Sequence, residues 1–204
     1  MAGFPPCTTA ARDQATQTTA VQNVSHHSEQ LLLNAIEKIR NNDFDGALTE
    51  LRHLVKLNPQ FNLAQLMFAD LLSARAHRIT DFGNLLTAPY KQISALREEA
   101  KARWRYHQSQ PAAKQIPVSF VQLANKQKYA IVVDLAISRL FLFQNHKGVP
   151  SLIEDFYVTI GKNGTGKVTE GDQKTPVGVY FVTGFIESDK LPDLYGDGAF
   201  PINY

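Results

Sequence analysis

Cysteine is nearly absent from this chain of 204 residues, which contains Cys7 and no second thiol. A single cysteine excludes an internal disulfide and any metal site built from cysteines. The histidines are few and scattered, and no pair shows ligand spacing beside a carboxylate or thiol; they are His26, His27, His53, His77, His107 and His146. We therefore expect no bound metal and no cofactor.

Long hydrophobic runs and an excess of one charge are also missing. Apolar stretches such as residues 129–133 are far shorter than the ~20 residues that a membrane-spanning helix needs. The net charge is only +2, without a run rich in Lys or Arg, so we expect neither a transmembrane segment nor a nucleic-acid partner. The hydrophobic content of 44% is that of a globular protein with a buried core.

Residues 1–27 are predicted to be a flexible leader, since 8–22 are rich in Thr, Ala and Gln and poor in bulky apolar residues. The first seven residues have neither a charged nor an apolar segment, so no signal peptide is identified in them.

A helical region is predicted over residues 28–108. Its first three helices show apolar residues at three- and four-residue spacing. The predicted faces are Leu32, Ala35, Ile36 and Ile39; then Phe44, Ala47, Leu48, Leu51, Leu54 and Val55; then Leu63, Leu66, Met67, Leu71 and Ala74. The residues 41–43 and the pair Asn58-Pro59 should separate them, because a residue before proline disfavours helix.

The hairpin with Ala47, Leu51 and Pro59 resembles a tetratricopeptide-type repeat, although a plain helical hairpin fits the same pattern. In either case these helices need another element to pack on. A protein partner bound through this region is possible.

A fourth helix is predicted from about Pro89 to Tyr106, with the pairs Glu98/Lys101 and Glu99/Arg103 on a solvated side. Its end, residues 103–106, is open to two interpretations. It could contact nucleic acid or peptidoglycan, or it could be a solvated face with Trp104 packed inward; the second is favoured. Residues 109–126 should form a linker.

After the linker the composition becomes typical of β-structure. Strands are predicted at residues 129–134, 139–144, 154–160 and 177–183, each bounded by turn residues. Because no helical pattern separates them, a mainly-β domain is expected, and the whole chain should be of the α+β class.

The glycine-rich segment 161–167 matches the first seven positions of a phosphate-binding loop. Val168 then replaces the required Ser or Thr, and the residues that follow cannot form the helix whose amide groups would face a phosphate. We interpret the segment as a loop between strands. Nucleotide binding remains the weakest of three functional hypotheses.

Four segments of the β half resemble the L,D-transpeptidase (YkuD-type) catalytic domain in that family's order: residues 131–143, 157–161, 171–180 with Thr175-Pro176-Val-Gly178, and 194–204. In the third, Pro176 fixes a turn dihedral and Gly178 relaxes the backbone. The resemblance predicts a catalytic domain, incomplete in this chain, over residues 127–204.

The resemblance implies cysteine acyl transfer in peptidoglycan cross-linking or remodelling, with a histidine base, in the cell envelope or periplasm. The matching Cys and His motifs are expected beyond Tyr204, and Cys7 is not a suitable substitute. No catalytic residue is therefore assigned in this chain, and it is expected to be inactive alone. A non-catalytic module that binds cell wall or protein is the main alternative. The resemblance also suggests that Asn203 and Tyr204 lie beside the cleft for peptidoglycan stem peptides. The alternative, that Tyr204 packs in the core and Asn203 ends a strand, is favoured.

Overall fold

The computed structural model describes residues 26–76, 83, 89–109, 123–192 and 195–204. Four α-helices precede a small set of antiparallel strands, which confirms the α+β class. The chain divides into two compact units, Met1–Tyr157 and Val158–Tyr204. Nearly all of the predicted leader and most of the predicted linker lie outside the described residues.

The helices follow the predicted periodicity closely. They are α1 (residues 26–40), α2 (Phe44–Leu57), α3 (Asn62–Ala76) and α4 (Tyr90–Gln108). At the break after α1, the side chain of Asp43 accepts a hydrogen bond of 2.9 Å from the amide of Gly46 and so caps α2. None of the helices in the described ranges is long and apolar enough to cross a membrane.

The first three helices enclose a common core, whose fully buried members are Leu32, Ala35, Ala47, Leu51, Leu54, Leu63 and Ala64. An ion pair joins Asp45 at the start of α2 to Arg75 at the end of α3, so these two helices run antiparallel. The prediction was wrong for Phe44 and Ala74, which are exposed, and for Leu66, which is half-buried. Phe44 and Ala74 stand in terminal turns, where neighbouring helices cover less of the surface. The tetratricopeptide resemblance stays a prediction.

Three strands of the first unit form an antiparallel meander in the order β1-β2-β3: β1 (Tyr129–Asp134), β2 (Arg139–His146) and β3 (Val149–Tyr157). Lys147 and Gly148 join β2 to β3 with φ of 55° and 93°, as a tight hairpin turn requires. The predicted third strand, 154–160, was placed too late, because this turn begins β3 at Val149.

One face of this sheet meets the helices. Arg139, Phe141 and Phe143 alternate along β2 and share that face. The ring centroid of Phe141 lies 6.4 Å from that of Tyr106 in α4. On the opposite face, Ile131 and Val133 of β1 are exposed.

In the second half of α4, some charged side chains are exposed to solvent and others are largely buried. Glu98 and Lys101 form an exposed pair, as predicted. Glu99 and Arg103 were predicted on the same solvated side, and this was wrong: their side chains are only 15% and 11% exposed. Trp104 is half-buried, with the guanidinium of Arg40 5.0 Å from its ring centroid.

The second unit has little regular structure. The short strands β4 (Ile186–Glu187) and β5 (Gly198–Ala199) pair with each other, and a 3₁₀ turn, Ser188–Lys190, follows β4. The prediction of a strand at residues 177–183 was wrong. The structure describes all of these residues, and among them Val182 forms an isolated bridge with Ile202. The amide of Thr183 donates to Pro201, which has no N–H with which to continue the ladder.

Candidate functional site

Asn203 and Tyr204, the two predicted substrate-binding residues, are held by the segment around Phe181. The amide of Phe181 donates to the side-chain oxygen of Asn203 at 2.6 Å, and the amide of Asn203 donates back to the carbonyl of Phe181 at 3.1 Å. These two bonds fix the backbone immediately before Tyr204. The side chain of Asn203 therefore has a structural contact in addition to its predicted role.

The ring of Tyr204 lies at the surface of the second unit and is 52% exposed. Its centroid is 6.1 Å from that of Tyr180 and 5.4 Å from the ammonium nitrogen of Lys167. The latter distance is within the range of cation–π attraction. The structure therefore brings Tyr204 together with a second aromatic residue and a cation, a group that sequence analysis did not assemble.

Lys167 is oriented by Asp172, which organises the glycine-rich loop. The ammonium nitrogen of Lys167 lies 3.2 Å from a carboxylate oxygen of Asp172. That carboxylate also accepts hydrogen bonds from the amides of Val168, Thr169 and Lys174 at 2.9, 3.3 and 3.0 Å. The amide of Val168, followed by those of Lys174 and Thr169, holds the pKa of Asp172 well below its usual range.

A pH dependence follows from the lowered pKa of Asp172. A carboxyl whose pKa is depressed by folding stabilises the folded state above its unfolded pKa, near 3.8, and loses this contribution as the pH falls further. Asp172→Asn is therefore expected to speed amide hydrogen exchange at residues 168, 169 and 174 near neutral pH, with a difference that shrinks below pH 3.8. Exchange measured by NMR checks this, with the exposed Asp197→Asn as the control. Equal rates in wild type and Asp172→Asn at neutral pH would contradict it.

The loop 161–167 is closed by hydrogen bonds to Thr175. The hydroxyl of Thr175 accepts a 2.6 Å hydrogen bond from the amide of Gly161, and its own amide donates to the carbonyl of Gly164 at 2.8 Å. A Cβ on Gly161 would come within 2.4 Å of the carbonyl oxygen of Gln173, so glycine is needed there. As predicted, no helix follows Lys167 in residues 168–185, all of which are described.

Comparison with known families identifies the β half. Residues 128–204 match the family of the YkuD L,D-transpeptidase catalytic domain. This region is similar to the YkuD catalytic domain. The predicted resemblance is thus confirmed for the β half, and the helices lie outside the match. Searches of curated proteins and of solved structures each returned no match.

YkuD proteins are associated with the cell envelope and act on peptidoglycan. Within the YkuD region, Thr175 closes the glycine-rich loop, a role that sequence analysis missed because it assigned turn roles to Pro176 and Gly178 alone. The residue type was a signal, since a Thr hydroxyl can accept a hydrogen bond from a backbone amide.

A nucleophile and its base are not brought together by the described residues. Cys7 lies outside them, and the sequence contains no histidine after His146. The described residues also contain no group of three or more His, Cys, Asp or Glu arranged to hold a metal ion. What the second unit offers is therefore a surface with Tyr204, Tyr180 and Lys167 close together.

Proposed function

We propose that residues 128–204 are part of an L,D-transpeptidase that cross-links or remodels peptidoglycan by cysteine acyl transfer. The observation that carries this proposal is the match to the YkuD catalytic domain. In the proposed reaction, a thiolate attacks an acyl carbonyl of one stem peptide and releases an amine. The amine of a second stem peptide then attacks the thioester, which forms the new amide and releases the thiolate, while a histidine moves the protons. The proposed location is the periplasm.

The catalytic cysteine and histidine are proposed to follow Tyr204 in the complete protein. Cys7 and the histidines up to His146 do not provide such a pair within the YkuD segment after β3. The surface of the second unit supports the proposal, because many of its apolar side chains are exposed. These include Val177, Val179, Phe181, Phe185 and Phe200. Exposed apolar groups in such number are typical of a surface that further polypeptide covers.

Activity measurements test this proposal directly. The 204-residue chain is expected to show no turnover of a tetrapeptide stem. The protein extended by its downstream coding sequence should be active, and replacing the cysteine of that extension with Ala should abolish the activity, because the thiolate is the nucleophile. Turnover by the 204-residue chain that survives Cys7→Ala would contradict the proposal. An extension that lacks both Cys and His would favour the non-catalytic binding module instead.

Tyr204 is proposed to contact the stem peptide, with Asn203 holding its backbone in place. The support is the exposed ring beside Lys167 and Tyr180. A Tyr ring presents an apolar body and a hydroxyl, which suits a peptide ligand. Protein binding through the helical region also stays a proposal.

Tyr204→Ala in the complete enzyme is expected to lower kcat/KM by up to about tenfold without changing the melting temperature. The magnitude is that of one lost aromatic contact, about 0.5–1.5 kcal/mol. Tyr204→Phe should separate the hydroxyl from the ring. Tyr195→Ala is the matched control, since Tyr195 is 54% exposed in the same unit. A lowered melting temperature with unchanged kcat/KM would instead assign Tyr204 a packing role.

A further inference from the structure

Two arginines join the helices of the first unit to its sheet, and their contacts define an arginine network of Glu29, Glu99, Arg103, Arg139 and Asp155. We propose that the helical segment stabilises the sheet β1-β2-β3, with which the YkuD region begins, by docking on it through this network. The intramolecular partner of helices α1 and α4 is thus the sheet itself. This inference concerns the scaffold and does not depend on the proposed reaction.

Arg139 is the member of the network contributed by β2, and its side chain is only 3% exposed. Its guanidinium donates to both carboxylate oxygens of Glu29 in α1, at 3.0 and 2.5 Å. It also donates to Asp155 of β3 at 3.1 Å and lies 3.9 Å from the ring centroid of Tyr106 in α4. A single buried cation on β2 therefore contacts two helices and the neighbouring strand β3.

Arg103 provides the corresponding contact from α4. It pairs with Glu99 at 2.8 Å and with Glu29 at 3.3 Å, so both arginines share the carboxylate of Glu29. Its guanidinium lies 4.0 Å from the ring centroid of Tyr157, at the end of β3. Planar guanidinium groups are suited to this combination of bidentate pairing and stacking on aromatic rings.

Two tyrosines lie at this interface: Tyr106 is 8% exposed, and Tyr157 is partly buried. Burial, followed by the neighbouring charge of Asp155 and a hydrogen bond to it, raises the pKa of Tyr106 well above its usual value. Burial, followed by the charge of Glu99, raises the pKa of Tyr157 as well. Both shifts have burial as their largest cause, so these hydroxyls stay protonated where the helices meet the sheet.

The network is complete only when helices and sheet are in contact. Without α1, Arg139 loses the bidentate partner Glu29, and without the sheet, Glu29 loses its closest cation. Breaking one side of a buried ion pair leaves an uncompensated charge, which is strongly unfavourable. Glu29 and Arg139 are 110 residues apart in sequence, so docking couples distant parts of the chain. The helix surface used here is therefore committed to the sheet and is not available to a separate protein.

Cleavage of the folded full chain tests the docking of the helices on the sheet. A site for a sequence-specific protease is inserted within residues 110–122, the folded chain is cut, and the two pieces are followed by size-exclusion chromatography. The wild-type pieces are expected to stay together. After Glu29→Gln they should associate at least about tenfold more weakly. The matched control is Glu98→Gln on α4, whose carboxylate pairs with Lys101 at the surface, and its pieces should stay together.

Separation of the wild-type pieces, or equal association of the Glu29→Gln and Glu98→Gln pieces, would overturn the proposal. If Glu29→Gln does not fold before cleavage, Asp155→Asn tests the network from the sheet. Its pieces are also expected to associate more weakly than those of wild type, and unchanged association would overturn the proposal. In the uncut chain, hydrogen exchange of the β2 amides should be faster in Asp155→Asn than in Glu98→Gln, and equal rates would contradict docking through the network.

Discussion

Arg139→Met is expected to lower the free energy of unfolding of the first unit by about 3–5 kcal/mol. The substitution keeps a long apolar stem at a buried position but leaves the carboxylates of Glu29 and Asp155, which are 17% and 29% exposed, without their shared cation. Urea denaturation followed by circular dichroism measures the loss. A double-mutant cycle with Glu29→Gln should show that the two changes are not additive, because they remove the same interaction.

The control for this prediction is Arg105→Met on α4. Arg105 is 70% exposed, against 3% for Arg139, and its nearest carboxylate oxygen, on Glu98, lies 4.0 Å away. An exposed pair of this kind contributes at most about 1 kcal/mol. Equal losses for the two variants would show that burial of Arg139 has no energetic consequence.

Leu51→Ala is expected to lower the free energy of unfolding by about 2–5 kcal/mol. Leu51 is completely buried in the core of the first three helices, so its removal leaves a cavity that the surrounding helices fill only partly. For a chain of this size, each 1 kcal/mol shifts the melting temperature by about 2–4 °C. Calorimetry of the purified chain gives the comparison.

Leu72→Ala is the matched change for Leu51→Ala, because Leu72 lies in α3 and its side chain is exposed. It should change the stability by no more than about 0.5 kcal/mol. A melting temperature for Leu51→Ala equal to that of Leu72→Ala would contradict the proposed packing of the helices.

The fold could be predicted where local pattern decides it. Periodicity located the helices, and the β-branched run 129–134 coincides with β1. Prediction was poorer in the second unit, where residues 177–183 have strand-like composition. There the side chain of Asn203 accepts the hydrogen bond from the amide of Phe181. Pro201 accepts from the amide of Thr183 but has no N–H to donate in return. A strand forms only if its partner can complete the bonds, and the identity of the partner is not a local property.

Sequence analysis named two of the residues of the candidate site as a prediction. Family resemblance pointed to Asn203 and Tyr204, but Lys167 was considered only as the last residue of a rejected phosphate loop. Its position beside Tyr204 depends on Asp172, which gathers three backbone amides and the ammonium group. Such a contact joins residues that no periodicity relates, so the sequence alone could not show it.

By itself, the sequence determined the α+β class, the approximate positions of the helices, the core residue Leu51 and the resemblance of the β half to the YkuD family. Each of these depends on spacing along the chain or on a motif within a short segment. Only the tertiary structure decided whether the side chains of Glu99 and Arg103 are exposed to solvent, since their spacing is that of an ordinary solvated helix pair. The approach of β2 and β3 places them against Glu29 and Tyr157 and removes them from water. Whether a charged residue on a helix is solvated or buried depends on what packs against that face. Here Glu29 lies 74 residues before Arg103, and Tyr157 lies 54 residues after it.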